Sequence, residues 1–310
     1  MRRIQFGDTD DLFDIRYDNV FKAVFTKDTP ASKGALSRLI SALIGREVSV
    51  TGINTNEPPI ENIRDRQLRF DINCRTKNGE LVNVEMSLSP KKFEPVRLEF
   101  HIGKLFTGQD IRGKGKNYDD LKEAYQITIL AREKFFQDEI FFHSFEYYDP
   151  IRGMSLNGRS RIITLELTKL EDVVEKPINE MSVLEYWGIY FNYLTDREKR
   201  QKINEIVDHE EGIAMASEVL LEISKDEIER ARLFSELKYE LDHQSELAYA
   251  ERKGREEGLE KGMEKGMEKG MEKGREETAR NALAEGLPID VIQKITGLDA
   301  ETIKSLGTGK

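Results

Sequence analysis

The sequence predicts an α+β (α/β) core followed by a helical C-terminal extension. Three observations lead there. Helical and strand-like patterns are mixed between Asp18 and about Leu170, the strand-like runs stop after Leu170, and glycine recurs at every fourth position from Gly254 to Gly274. The chain of 310 residues allows roughly two domains on a working scale of about 150 residues each. With 38% hydrophobic residues there is apolar material for one good core. The 34% of charged residues exceeds the quarter or so of typical domains, so part of the chain is expected in solvent.

Two helical stretches open the pattern, DNVFKAVF and then SKGALSRLISALIG, where Leu36, Leu39, Ile40 and Leu43 recur at helical spacing and Gly45 closes the element. Six runs that alternate or are rich in β-branched residues read as strands: VSVTGI, LRFDINCR, LVNVEMSL, AYQITILA, EIFFHSFEYY and RIITLELTKL. A helix is expected between the third and fourth runs, from Glu94 to about Phe106, giving an ααβββα order followed by further strands. From Ser182 to Arg252 the pattern is helical, with Trp187, Tyr190, Phe191 and Tyr193 as a local apolar cluster. The tandem GMEK repeat then places six glycines in one segment, each costing about 1 kcal/mol inside a helix. Its period of four drifts about 40° per repeat around an α-helix and forms no fixed face. A marginal helix or flexible connector is expected there, a glycine-lined pairing surface being the alternative. In the tail, Gly286, Pro288 and Gly297 punctuate short helices. The expected organisation is a core domain over 1–170, a helical accessory region over 171–252, a repeat linker or helix over 253–277 and a small helical, helix-turn-helix-like tail over 278–310.

Several function classes are excluded at this level. No apolar run approaches the roughly 20 residues that span a bilayer, and the opening MRRIQFGDTD has no signal-peptide core, so a cytoplasmic protein without a membrane partner is expected. Cys74 stands alone, which excludes a disulfide scaffold and a cysteine-based zinc finger. No GxGxxG after a strand, GxxxxGK[ST] or GxSxG is present, so dinucleotide, NTPase and α/β-hydrolase chemistry have no motif. The histidines 101, 143, 209 and 243 are isolated in sequence and read as ordinary surface or core residues. The formal charge of −10 opposes phosphate binding on average, but Ser87 to Asn117 holds seven basic residues, Lys91, Lys92, Arg97, Lys104, Arg112, Lys114 and Lys116, against Glu94, Glu99 and Asp110. A DNA-gripping stretch and an ordinary charged helix face with a loop are the two readings of that excess.

The chemistry is expected in LRFDINCRTKNGELVNVEMSLSP. Lys77-Asn78-Gly79 fits a three-residue hairpin loop with glycine in the left-handed position. Centring on Asn78 pairs Asp71 with Glu85, Asn73 with Asn83 and Ile72 with Val84, and alternation puts Asp71, Asn73, Arg75, Asn83, Glu85 and Ser87 on one face. A two-residue Asn-Gly turn would split the two carboxylates between faces. Facing carboxylates with Cβ atoms about 5 Å apart repel unless a cation lies between them. Mg²⁺, with Mn²⁺ as a substitute, suits one or two carboxylates plus water and phosphate oxygens, and the Met86 carbonyl is a further candidate ligand. The alternative is a polar hairpin face that simply meets water.

Asp71, a hairpin and then Glu85-Met86-Ser87 resemble the D…(D/E)-x-K signature of the PD-(D/E)XK nucleases, in particular the branch of recombination-promoting nucleases and transposases. The likeness extends to Phe21-Lys22 in the opening helix, Arg97 after the acid motif, Tyr118 and Leu121 before YQITIL, the late TLELTKL strand, the Gly-x-x-x repeats and the terminal helical unit. The resemblance implies a restriction-endonuclease-like αβββαβ core and Mg²⁺-dependent endonucleolytic cleavage of DNA. Asp71 and Glu85 correspond to the metal ligands, and Asp18 to an additional acid beside the metal. Ser87 departs from the pattern: where the family has Lys or Gln, it offers an uncharged hydroxyl. The alternative function is a catalytically impaired nuclease fold that binds DNA or associates with itself.

Overall fold

The computed structural model describes residues 4–7, 9–53, 71–88, 94–111 and 117–308. Two helices open the fold, α1 (Asp18–Thr26) and α2 (Pro30–Ile44). Thr29 caps α2 by accepting from the Ser32 N–H, Pro30 fills its first turn, and Gly45 ends it in the left-handed conformation. The strands β1 (Val50–Ile53), β2 (Ile72–Thr76) and β3 (Leu81–Ser87) come next, then α3 (Glu94–Thr107) and β4 (Ala124–Leu130). β5 (Phe142–Phe145), a two-residue hairpin of β6 (Tyr148–Asp149) and β7 (Met154–Ser155), and β8 (Ser160–Glu166) follow. Each of the six predicted strand runs contributes a strand; the β6–β7 hairpin was not anticipated, because two paired residues per strand leave no periodicity to read.

The six-stranded sheet has the order β1-β2-β3-β4-β8-β5. β1, β2 and β3 pair antiparallel, β4 and β8 join parallel, and β5 closes the far edge antiparallel to β8. Gly79 at φ +85° turns the β2–β3 hairpin. The pairs Ile72–Val84, Asn73–Asn83, Cys74–Val82 and Arg75–Leu81 then set the register that the three-residue loop predicts.

Alternation divides the sheet into two unlike faces. Ile72, Cys74, Val82, Val84, Met86, Tyr125, Ile127, Ile129, Ile163 and Leu165 join one large core with α1 and α2. That core also takes in α4 (Val183–Tyr193), α5 (Arg200–His209) and α6 (Glu211–Lys225). Trp187 and Phe191 of α4 stack against Phe25 and Phe21 of α1 at 6.1 and 5.9 Å between ring centres. Gly212 permits this closure, because a Cβ there would stand 3.0 Å from the Trp187 ring and collide with Arg38.

The opposite face lies under α3 and is polar. Asn83, Gln126, Thr128, Thr164 and Glu166 are wholly buried, and Glu85 is 2% exposed. On the polar face of the hairpin Asn83 and Glu85 are therefore shut away from water, while Arg75 is exposed and Asp71, Asn73 and Ser87 are partly so.

The long helix α7 (Glu227–Ala284) runs through the glycine repeat. Met, Glu and Lys, three strong helix formers, occupy the other positions of each GMEK unit and oppose the glycine cost. The chain divides into two compact units, residues 1–237 and 238–310. In the second, α8 (Ile289–Thr296) and α9 (Ala300–Thr308) close a small core of Ala279, Ile292 and Ile303 with the end of α7. Among the described residues no helix is long and apolar enough to cross a membrane.

Candidate active site

Glu85 sits near the end of β3, under α3. Asn83, two residues earlier on the same face, donates from Nδ2 to Glu85 Oε1 at 2.9 Å and to Gln126 Oε1 at 2.8 Å. Gln126 in turn donates to Thr128 Oγ at 3.2 Å. From α3, one turn apart, His101 Nδ1 lies 2.8 Å from Glu85 Oε1 and an Arg97 terminal nitrogen 3.0 Å from Oε2. Arg97 also holds Glu94 at 2.5 Å. Burial by itself would raise the Glu85 carboxyl, yet the His101 hydrogen bond, the Arg97 charge and the Asn83 amide bring it below its ordinary value. Glu85 is thus an ionised carboxylate in a nearly dry place.

Asp71 immediately precedes β2. Its Oδ2 accepts the Met86 N–H at 3.2 Å, which fixes the carboxyl beside the Glu85–Met86 step. Lys22 reaches in from α1: its ammonium is 3.2 Å from Asp71 Oδ1 and 2.7 Å from Asp18 Oδ2. Burial and the negative charges of Asp18 and Glu85 raise the Asp71 carboxyl well above the aspartate range, against the pull of Lys22. The Lys22 ammonium is itself raised, because Asp71 and Asp18 outweigh the effect of burial. The fold therefore brings Asp18, Asp71 and Glu85 into one electrostatic cluster, with two cations on its flanks.

The donor set suits a hard divalent ion. Burial first, and then the charges of Asp18 and Glu85, raise the Asp71 carboxyl, and a cation beside it would relieve the charge part of that cost. Asp18 Oδ1 is buried with no hydrogen-bond partner, and Glu85 Oε2 has only the Arg97 charge opposite it. Direct ligation by all three carboxylates is not preset. The one group of three His, Cys, Asp or Glu ligand atoms within 4.8 Å of one another among the described residues is Asp138, His143 and Glu166. A hard divalent ion needs only one or two carboxylates beside its waters, and Asp71 and Glu85 are the two carboxylates that could hold it here. The Asp138–His143–Glu166 group already holds a cation, the buried Lys169 ammonium at 2.9 Å from Asp138 and 2.6 Å from Glu166.

A family model, that of the PD-(D/E)XK nuclease family transposases, matches residues 15–250. The chain belongs to that family. The match spans the whole sheet, both opening helices and the aromatic-rich helix α4. No curated protein and no solved structure matches the chain. The mixed six-stranded sheet with flanking helices is the restriction-endonuclease-like architecture expected of a PD-(D/E)XK nuclease.

Three of these groups have no site assignment in the sequence pattern alone. Lys22 appears there only as part of the opening helix. His101 is not isolated: 16 residues from Glu85 in sequence, it meets the carboxylate because α3 folds back over β3. Arg97, read as part of the basic stretch, turns toward Glu85 and Glu94. Lys104 is exposed on α3, and Lys91, Lys92, Arg112, Lys114 and Lys116 lie outside the described residues. Ser87 closes β3 on the Glu85 face and is partly exposed.

Proposed function

We propose that this PD-(D/E)XK chain is a metal-dependent DNA endonuclease whose centre is Asp71 and Glu85, with the Met86 carbonyl as a further ligand and Asp18 beside them. The observation that carries this reading is the placement of the Asp71 carboxyl beside the Glu85–Met86 step, held there by the Met86 N–H at 3.2 Å, so that two carboxylates share one partly buried place that a divalent ion would stabilise. Bound Mg²⁺, or Mn²⁺ in its place, polarises a phosphodiester and activates water. Lys22 supplies the positive charge that Ser87 lacks, close enough to steady a phosphate oxygen or orient the attacking water. Ser87 offers a hydroxyl to the same space. Arg97 keeps Glu85 ionised and faces any phosphate that approaches it. The exposed Lys104 and the basic stretch from Lys91 to Lys116 then grip the backbone of the DNA.

A plasmid-nicking time course with Mg²⁺, with Mn²⁺ and with chelator tests this, in wild type and in Glu85→Ala. Nicking is expected to require metal and to vanish in the variant. A second reading is favoured by the engagement of Glu85 Oε1 by His101 and Asn83 and by the Arg97 charge opposite Oε2: a nuclease fold reduced to DNA binding. Intact plasmid at high protein concentration, together with salt-sensitive gel shifts, would select it.

Asp71→Asn separates chemistry from stability. A carboxyl whose pKa is raised by folding favours the folded state at low pH, and that advantage is lost as pH rises from the ordinary aspartate value of about 3.9 through the raised one. In chelator, the variant is therefore expected to melt above wild type at pH 8, the gap closing toward pH 4, while nicking is lost. A variant that melts lower at pH 8 contradicts the carboxylate repulsion inferred here.

The repeat region is proposed to associate with a second copy. Met263, Met267 and Met271 stand 69%, 64% and 56% exposed along α7, between rows of glycine that allow close helix approach. Deleting residues 254–277 is expected to halve the mass seen by light scattering; an unchanged mass sinks the idea.

A further inference from the structure

Between α3 and the outer strands β8 and β5 lies a cavity of about 290 Å³. This is near the lower end of the roughly 300–1,000 Å³ range of small-ligand sites and admits one planar ring system. Its walls are aromatic, from Phe135, Phe136, Phe145 and Tyr147, over an apolar floor that includes Ile102 and Ile162. Phe136 and Phe145 lie 5.4 Å apart between ring centres, and Phe145 and Tyr147 remain 41% and 57% exposed. Two carboxylates, Glu99 and Glu146, stand at its edge. A cation lies beside it rather than in it: Arg161 is 3.8 Å from Glu146.

These features select an occupant. An aliphatic chain would bring no donor to the Glu99 carboxylate it covers, at a desolvation cost. A phosphate would be repelled by Glu99 and Glu146. A nucleobase stacks on flat aromatic walls and can present N–H groups to acceptors, while its own phosphates remain at the rim on the side of Arg161.

The placement fits too. Successive residues of α3 serve both sites: Arg97 and His101 hold Glu85, while Leu98, Glu99 and Ile102 line the cavity. β8 is two strands from β3, and the lining Ile162 and Ser160 stand two and four residues along β8 from Thr164, which is level with Glu85, so the cavity is roughly 10–20 Å from Glu85, several nucleotides along a strand.

We propose that this cavity receives one unstacked nucleobase of the DNA strand engaged by the Asp71–Glu85 centre, and that Glu99 and Glu146 favour a base with an exocyclic amino group: adenine, cytosine or guanine over thymine. The inference rests on the nuclease reading and extends it to a second contact with the same substrate.

The test uses the full chain with Ca²⁺ replacing Mg²⁺ and a set of single-stranded oligonucleotides in which one abasic site is moved along the sequence, binding being read by fluorescence anisotropy. One abasic position is expected to weaken binding about 5- to 150-fold, the range that alanine substitution gives for base–aromatic stacking. The double variant Phe145→Ala/Tyr147→Ala, altered at two exposed positions, is expected to lose the same factor on intact DNA and to respond equally to every abasic position. Glu99→Gln is expected to narrow the preference for an amino-bearing base over thymine at that position. A flat abasic scan in wild type, or unchanged binding by the double variant, overturns the proposal. If plasmid nicking still depends on Glu85, the nuclease reading survives that failure. If no DNA is bound or nicked by any form, both fail together.

Discussion

Lys22→Ala is expected to lower the rate of metal-dependent plasmid nicking by about 10²–10³, the effect of removing one preorganised stabiliser of developing charge. The fold should remain, since Lys22 is a partly exposed residue of α1 whose ammonium serves Asp18 and Asp71. Circular dichroism checks that point. The decisive experiment adds Ser87→Lys to the same chain. The family signature has its lysine at the position of Ser87, so a lysine there is expected to restore part of the lost rate if Lys22 fills its role from another element. Nicking at the wild-type rate by Lys22→Ala would remove Lys22 from the chemistry. A loss that Ser87→Lys leaves unrepaired would make Lys22 a counter-ion of Asp71 only.

Lys169→Met is expected to cost about 3–5 kcal/mol, because it leaves Glu166 buried without its counter-ion. For a unit of this size that is a fall in Tm of roughly 6–20 °C. The Lys169 and Glu166 side chains have no solvent exposure, and the Glu166 Oε2 accepts the Phe135 N–H at 2.7 Å. Adding Glu166→Gln removes the stranded charge and should recover much of the loss. Hydrogen bonding to Lys169 also brings the Asp138 carboxyl down to about 2. The stabilisation from this carboxylate is therefore present above the ordinary aspartate value of about 3.9 and is lost as pH falls from there toward 2. Acid unfolding of Asp138→Asn should accordingly be less steep across that window than that of wild type. A Tm for Lys169→Met equal to wild type would show that the cluster is solvated.

What could be read from the sequence was what a single local rule decides. Turn chemistry at Lys77-Asn78-Gly79 and alternation along the flanking runs are sufficient to pair Asn73 with Asn83 and so to bring Asp71 level with Glu85. Lys22 escaped because its arrival depends on how α1 crosses the end of β2, a packing event with no local signature. His101 and Arg97 escaped for a related reason: their spacing of four says only that they share a helix face, and which strand that face covers is a tertiary fact. The Asp138–His143–Glu166–Lys169 cluster joins a loop, an edge strand and the turn after β8, across 31 residues at its widest ion pair. Asn83 and Gln126 carried a misleading message, since polar residues alternating on a strand normally mean solvent, and here they form a buried chain of amides beneath α3. The glycine repeat left helix and connector both open, because a helix-propensity argument weighs glycines against the strong formers between them, and the segment is helical.

The hairpin turn also makes the chain sensitive to insertions and deletions in a way that substitutions do not reveal. Side chains alternate with a period of two, so losing one residue from Lys77-Asn78-Gly79 would exchange the faces of β3 relative to β2, presenting Val84 and Met86 to α3 and sending Glu85 into the apolar core. Parity at this loop is thus part of the active-site specification, and a single in-frame codon deletion there should be as damaging as replacing a carboxylate. The GMEK array follows the opposite rule: gain or loss of a whole unit leaves the same four-residue pattern on either side, so the local helix is expected to survive it.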